Sequence, residues 1–126
     1  MSNVLEVPAY GPTANFIVSE ANGYRSREQI VVAQGGLYRD GTILQAVAGD
    51  DLKYAPFAGG GDEDEGGGAL AVLFQTVDAR EADVRATGMV RDCELQRAML
   101  KFAGEVSEAD REAAYAGLAA AHVVMR

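Results

Sequence analysis

The run Ala69-Leu70-Ala71-Val72-Leu73-Phe74-Gln75-Thr76-Val77 holds no charged residue, and its apolar side chains do not alternate with polar ones. A strand with one wet face alternates, so a run of this kind has both faces covered. It predicts a central strand, and the rest of a 126-residue chain must supply the covers. A chain of that length makes one domain around a modest core. The flanking segments read as further short strands. Gln29-Ile30-Val31-Val32-Ala33 is β-branched and stops at Gly35-Gly36. Thr42-Ile43-Leu44-Gln45-Ala46-Val47 follows the turn Asp40-Gly41 and ends at Gly49-Asp50-Asp51. Leu52-Lys53-Tyr54-Ala55 is closed by Pro56. In Val84-Arg85-Ala86-Thr87-Gly88-Met89-Val90-Arg91 the residues Val84, Ala86 and Val90 point one way, and Arg85, Thr87, Met89 and Arg91 the other. Strands at this spacing, joined by tight turns, make a compact β-rich domain.

The C-terminal third predicts two helices and a last strand. Asp92 offers an N-cap, and Leu95, Ala98, Met99 and Phe102 fall at i, i+3, i+4 and i+7, ending at Gly104. A second helix starts at the capping pair Ser107 and Asp110. Its small residues Ala109, Ala113, Ala116 and Ala120 form a face that lets it lie close to a sheet. His122-Val123-Val124-Met125 returns to a β pattern. The fold class is thus α/β, of the α+β type. It has a small, mostly antiparallel β core, two short C-terminal helices and an extended N-terminal arm.

That arm covers residues 1–26, and the compact domain residues 27–126. Val4-Leu5-Glu6-Val7 and Asn15-Phe16-Ile17-Val18 are short apolar pieces separated by Pro8-Ala9-Tyr10-Gly11-Pro12. Proline fixes φ and removes a donor, so that string is neither mid-helix nor central strand. The arm has no core of its own. Its apolar pieces suit an edge strand added to another sheet, with Val4, Leu5, Val7, Asn15, Phe16, Ile17 and Val18 as the contacting residues. Arg25 and Arg27 bracket Ser26 beside Glu28 at the junction; they either anchor a turn by hydrogen bonds or bridge to a partner. Within the domain, residues 59–68 alternate glycine triplets with Asp62-Glu63-Asp64-Glu65. Glycine entropy and like charge predict a mobile, exposed loop.

Composition bounds the function. Lys and Arg total 11 against 19 Asp and Glu, a formal charge of −8, which disfavours a phosphate backbone as partner. No apolar run reaches the roughly 20 residues of a membrane span, and residues 1–10 lack the basic and apolar regions of a signal peptide. One cysteine, Cys93, excludes an intrachain disulfide and a Cys-based zinc site, and one histidine, His122, excludes a His-pair metal site. The glycine-rich run has acids where a phosphate-binding loop has Lys and Ser or Thr. Two other readings stay open. One is a small enzyme using Cys93 with His122, although Asp92 and Glu94 beside the thiol work against a thiolate. The other is a calcium-dependent adhesion module using Asp62 to Glu65, although a contiguous acidic run lacks the alternating spacing of an EF-hand loop.

The order of segments resembles the lambda D-like family of phage head decoration proteins. Ser19-Glu20-Ala21-Asn22-Gly23-Tyr24-Arg25-Ser26-Arg27-Glu28 is similar to the family's S-E-A-N-G-x-x-S-R-E junction. Leu37 followed by Asp40-Gly41-Thr42-Ile43-Leu44, and then Lys53-Tyr54-Ala55-Pro56, resemble its next two motifs. Residues 69–78 resemble its A-x-x-I-L-x-x-x-V-D strand, and Val90-Arg91-Asp92-Cys93-Glu94-Leu95 its V-R-D-A-E-V, with a cysteine where alanine is usual. The resemblance implies a structural protein without catalysis or cofactor. It implies a homotrimer that caps local three-fold positions on the outside of an expanded capsid. It implies an N-terminal arm that orders by pairing with strands of the major capsid protein, and a chain that waits in the host cytoplasm before assembly. Nucleic acid, membrane and small-molecule substrate are not expected partners.

Overall fold

The computed structural model describes residues 16–23, 25–47, 50–58 and 69–126. Val4, Leu5, Val7 and Asn15 of the arm, and the acidic run Asp62 to Glu65, lie outside the described residues. In chain order the elements are β1 (Ile17–Glu20), β2 (Arg27–Val32), β3 (Leu37–Tyr38), β4 (Ile43–Val47), β5 (Asp50–Pro56), β6 (Leu70–Leu73), β7 (Val77–Asp78), β8 (Val84–Met89), β9 (Cys93–Leu95), α1 (Glu108–Ala120) and β10 (Val123–Met125).

Five strands close into a barrel in the order β2-β5-β4-β6-β8. All its pairs are antiparallel except β2 with β5. The uncharged run supplies β6, and alternate residues of that strand serve two compartments. Ala71 and Leu73 face the barrel interior with Ile30, Val32, Leu44 and Ala86. Val72 faces a second core with Phe16, Ile43, Met89, Leu95 and Leu118. Strand β8 divides the same way, with Ala86 inside the barrel and Met89 outside it. The short pair β3–β7 forms a separate ribbon. The turn before β4 needs its glycine. Gly41 has φ +89°, and a Cβ there would lie 2.8 Å from the Met99 carbonyl oxygen.

The second core is closed by a three-stranded sheet, β1-β9-β10, and by α1. β9 is the middle strand, antiparallel to β1 and parallel to β10. Ser107 caps α1 as its sequence predicts: the Ser107 side chain accepts from the Asp110 N–H at 3.0 Å.

Two expectations are corrected. Among the described residues the fold is mostly β, with a closed barrel and one α-helix, and the C-terminal part holds that one helix in place of two. The apolar spacing from Leu95 to Phe102 belongs to a strand, a three-residue 3₁₀ turn (Arg97–Met99) and an extended stretch. Tertiary pairing overrides the helical period there. The Gln96 N–H donates to the Phe16 carbonyl, and Lys101 exchanges backbone bonds with Gly41 and Ile43. Those partners lie far off in sequence and hold both ends extended. Asp92 at φ +52° is no helix N-cap. The second correction concerns α1. Ala109, Ala113, Ala116 and Ala120 face solvent, and the helix packs through Ala114 and Leu118. Close approach comes instead at Gly117, where a Cβ would sit 2.8 Å from Leu70 Cδ1.

Candidate functional site: the junction that roots the N-terminal segment

The two sequence motifs at residues 19–28 and 90–95 meet in space. Asn22-Gly23 turns the chain between β1 and β2, with Gly23 at φ +67°. The turn is tied from inside by Ser26, which is fully buried. Its hydroxyl accepts from the Ala21 N–H at 2.9 Å and donates to the Asp92 carbonyl at 2.7 Å. Its own carbonyl accepts from the Val90 N–H at 2.9 Å. One side chain thus joins the segment leaving β1 to the segment entering β9. Ser26→Ala leaves a part-buried N–H and carbonyl without this partner, which costs about 2–3 kcal/mol. Thermal denaturation of that variant is expected to show a Tm lowered by roughly 6–12 °C; an unchanged Tm would show that the hydroxyl is not a structural tie.

Charged pairs surround the buried serine. Arg27 grips Glu20 through two hydrogen bonds, at 3.0 and 2.8 Å, and its guanidinium lies 4.4 Å from the centroid of Phe74. Arg91 donates to Glu28 at 2.7 Å and to the Arg25 carbonyl at 2.7 Å. Arg25 stands 3.5 Å from Asp92. Within the chain these arginines pair across the turn and with the segment that enters β9. Ser26, Arg27 and Glu28 all sit at this junction, and the Glu20 and Arg91 partners were not singled out from sequence. Glu20 pairs with Arg27 seven positions away within one motif, and Arg91 reaches Glu28 and Arg25 from the other motif, 63 and 66 positions away, which no local pattern reveals.

β1 is held along its length. Ser19 donates to Glu94 at 3.1 Å, and Arg126 donates to the other Glu94 oxygen at 2.6 Å. The Arg126 bond, then the Ser19 bond, holds the Glu94 carboxyl below its usual range. Phe16, immediately before β1, is 1% exposed and plugs the second core. Ile17 is half-buried opposite Leu95, and Val18 is 49% exposed. Of the predicted contact residues in the described part, Phe16 is occupied by the chain's own core and Val18 is available at the surface. β1 lies at the end of its sheet, so among the described residues its outer edge has no neighbouring strand.

The Cys93 thiol does not suit nucleophilic work. It is buried, and burial first, then the charges of Glu20 and Asp92, push its pKa up to about 11. His122 is exposed, with φ +65°. Alkylation of the native chain by iodoacetamide at pH 8 is expected to run at least about a hundredfold slower than after unfolding, because the thiolate is scarce and covered. Equal rates would contradict the burial. Among the described residues no group of three or more His, Cys, Asp or Glu is placed to hold a metal ion.

Barrel, plug and junction together define a small structural β domain in which Phe16 and β1 are held against the core. The chain belongs to the bacteriophage lambda head decoration protein D family, whose sequence model matches residues 10–123. No curated protein and no solved structure matches it.

Proposed function

We propose that this chain reinforces the expanded head of a tailed phage from the outside. Three copies associate and sit at local three-fold positions. The segment N-terminal to β1 adds a strand to the major capsid protein. The family match over residues 10–123 carries the decoration role. The outer edge of β1, which has no neighbouring strand among the described residues, and the plug at Phe16 support strand addition, because they provide a fixed strand edge next to where the preceding segment joins.

The physics of such a clamp follows from the arm. Main-chain hydrogen bonds supply affinity, and Val4, Leu5, Val7, Asn15 and Val18 supply side-chain contacts. Phe16 and Ile17 contribute by rooting the segment. Ordering an arm costs entropy, so one arm binds weakly. Three linked arms raise the effective concentration, and binding to the expanded lattice alone stabilises that lattice by mass action. The −8 charge suits a protein that stays outside the shell and in solution before assembly. The direct test is cosedimentation of the purified chain with unexpanded and expanded heads of its phage. Retention on expanded heads only is expected. Retention on neither would refute the proposal.

A further inference from the structure

In this acidic chain most described cations are neutralised locally. Arg25, Arg27, Lys53, Arg80, Arg91 and Arg126 each stand within 4.0 Å of a carboxylate. Arg97 and Arg111 do not. Each instead lies over a ring. The Arg97 guanidinium is 5.1 Å from the centroid of Tyr115, and that of Arg111 is 4.9 Å from Phe102. The two rings are neighbours, 6.2 Å apart and tilted by 55°. Phe102 in turn leans on the buried Phe57 at 6.0 Å. Both arginines are exposed and both rings are half-buried. No ion pair joins Arg111 to Glu108 or Glu112 on its own helix.

Contact with the ring restrains each guanidinium, and exposure of the side chain leaves its N–H groups accessible. A pre-organised fork loses less freedom when it meets a carboxylate. Arginine and tyrosine over a packed aromatic base are also the residue types that concentrate binding energy at interface centres. We propose that Arg97, Tyr115, Phe102 and Arg111 form one side of the contact between copies of this chain, receiving carboxylates from the next copy. The proposal rests on the trimer reading above. Charge favours a second copy as the occupant. Acids outnumber bases 19 to 11, so any copy that approaches presents carboxylates in excess. Two like-charged molecules meet with least repulsion where one of them carries unpaired cations. In a three-fold ring the contact is heterologous, so the arginine surface meets a different, acidic surface and need not match itself.

Sedimentation velocity of the full chain tests this, with Arg97→Glu/Arg111→Glu beside wild type and with Arg85→Glu, an exposed arginine on the barrel, as control. Wild type and control are expected to be trimers. The double variant should need at least about tenfold more protein to associate, and added salt should weaken the wild-type trimer. A cooperative melt and unchanged helix signal show that the variant is folded. Arg97→Gln/Arg111→Gln, which removes charge without reversing it, should weaken association less. A double variant that trimerises like wild type overturns the proposal and leaves the trimer reading standing. If it trimerises normally but no longer binds heads, the surface faces the capsid and the proposal is also wrong. A monomeric wild type removes both readings.

Discussion

Removal of residues 1–15 is expected to leave the domain folded and to abolish its hold on expanded heads. β1, the plug at Phe16 and the Ser26 tie all survive that cut, so the melting curve should stay close to that of the whole chain. Head binding, read by cosedimentation, should fall by about a hundredfold or more, the scale on which linked sites gain avidity. The two readouts separate the roles that the proposal assigns: stability to the part from Phe16 onward, attachment to what precedes it. Undiminished binding by the truncated chain would refute strand addition. A large loss of stability would show that the first 15 residues belong to the domain.

Phe16→Ala should have the largest effect on folding. The ring is almost wholly buried in the second core, beside Leu95, Leu118 and Val123. Truncating a buried phenylalanine costs about 3–5 kcal/mol, from lost transfer energy and the cavity left behind. For a domain of this size that lowers Tm by roughly 10–20 °C. Hydrogen exchange gives a local readout. The Gln96 amide, bonded to the Phe16 carbonyl at 2.7 Å, should exchange faster in the variant than amides inside the barrel. A loss under about 1 kcal/mol, far below the cavity range, would mean that β1 is not integral to the fold.

The sequence made the barrel's strands legible because their turns are local. Asp40-Gly41 and Pro56 bracket strands that the structure also shows, and the uncharged run at β6 is covered on both faces as its lack of alternation required. The single helix was legible from Ser107 and Asp110, which form its cap. What failed was the reading of residues 92–104. An apolar spacing of i, i+3, i+4, i+7 over a short window fits a helix, and it fits equally a three-residue strand followed by a tight turn. The choice is made by β1 and β10, which flank β9 from opposite ends of the chain. The alanines of α1 misled for a related reason: alanine is the best helix former, and on a wet face it reports propensity rather than packing. At the junction, Ser26, Arg27 and Glu28 stood out by motif. Their pairing with Glu20, Arg91 and Asp92 was not legible, although those residues lie in the same motifs, since side-chain hydrogen bonding between segments leaves no periodic trace. Phe16 looked like part of a coreless leader, because a segment with few apolar residues gives no sign that one of them is a plug.

The division of β6 has a mechanical corollary. Three neighbouring residues on one short strand, Ala71, Val72 and Leu73, are each inaccessible to solvent, yet they seal opposite chambers. Pulling that strand breaches both chambers together, so along β6 the two cores are expected to give way in one step.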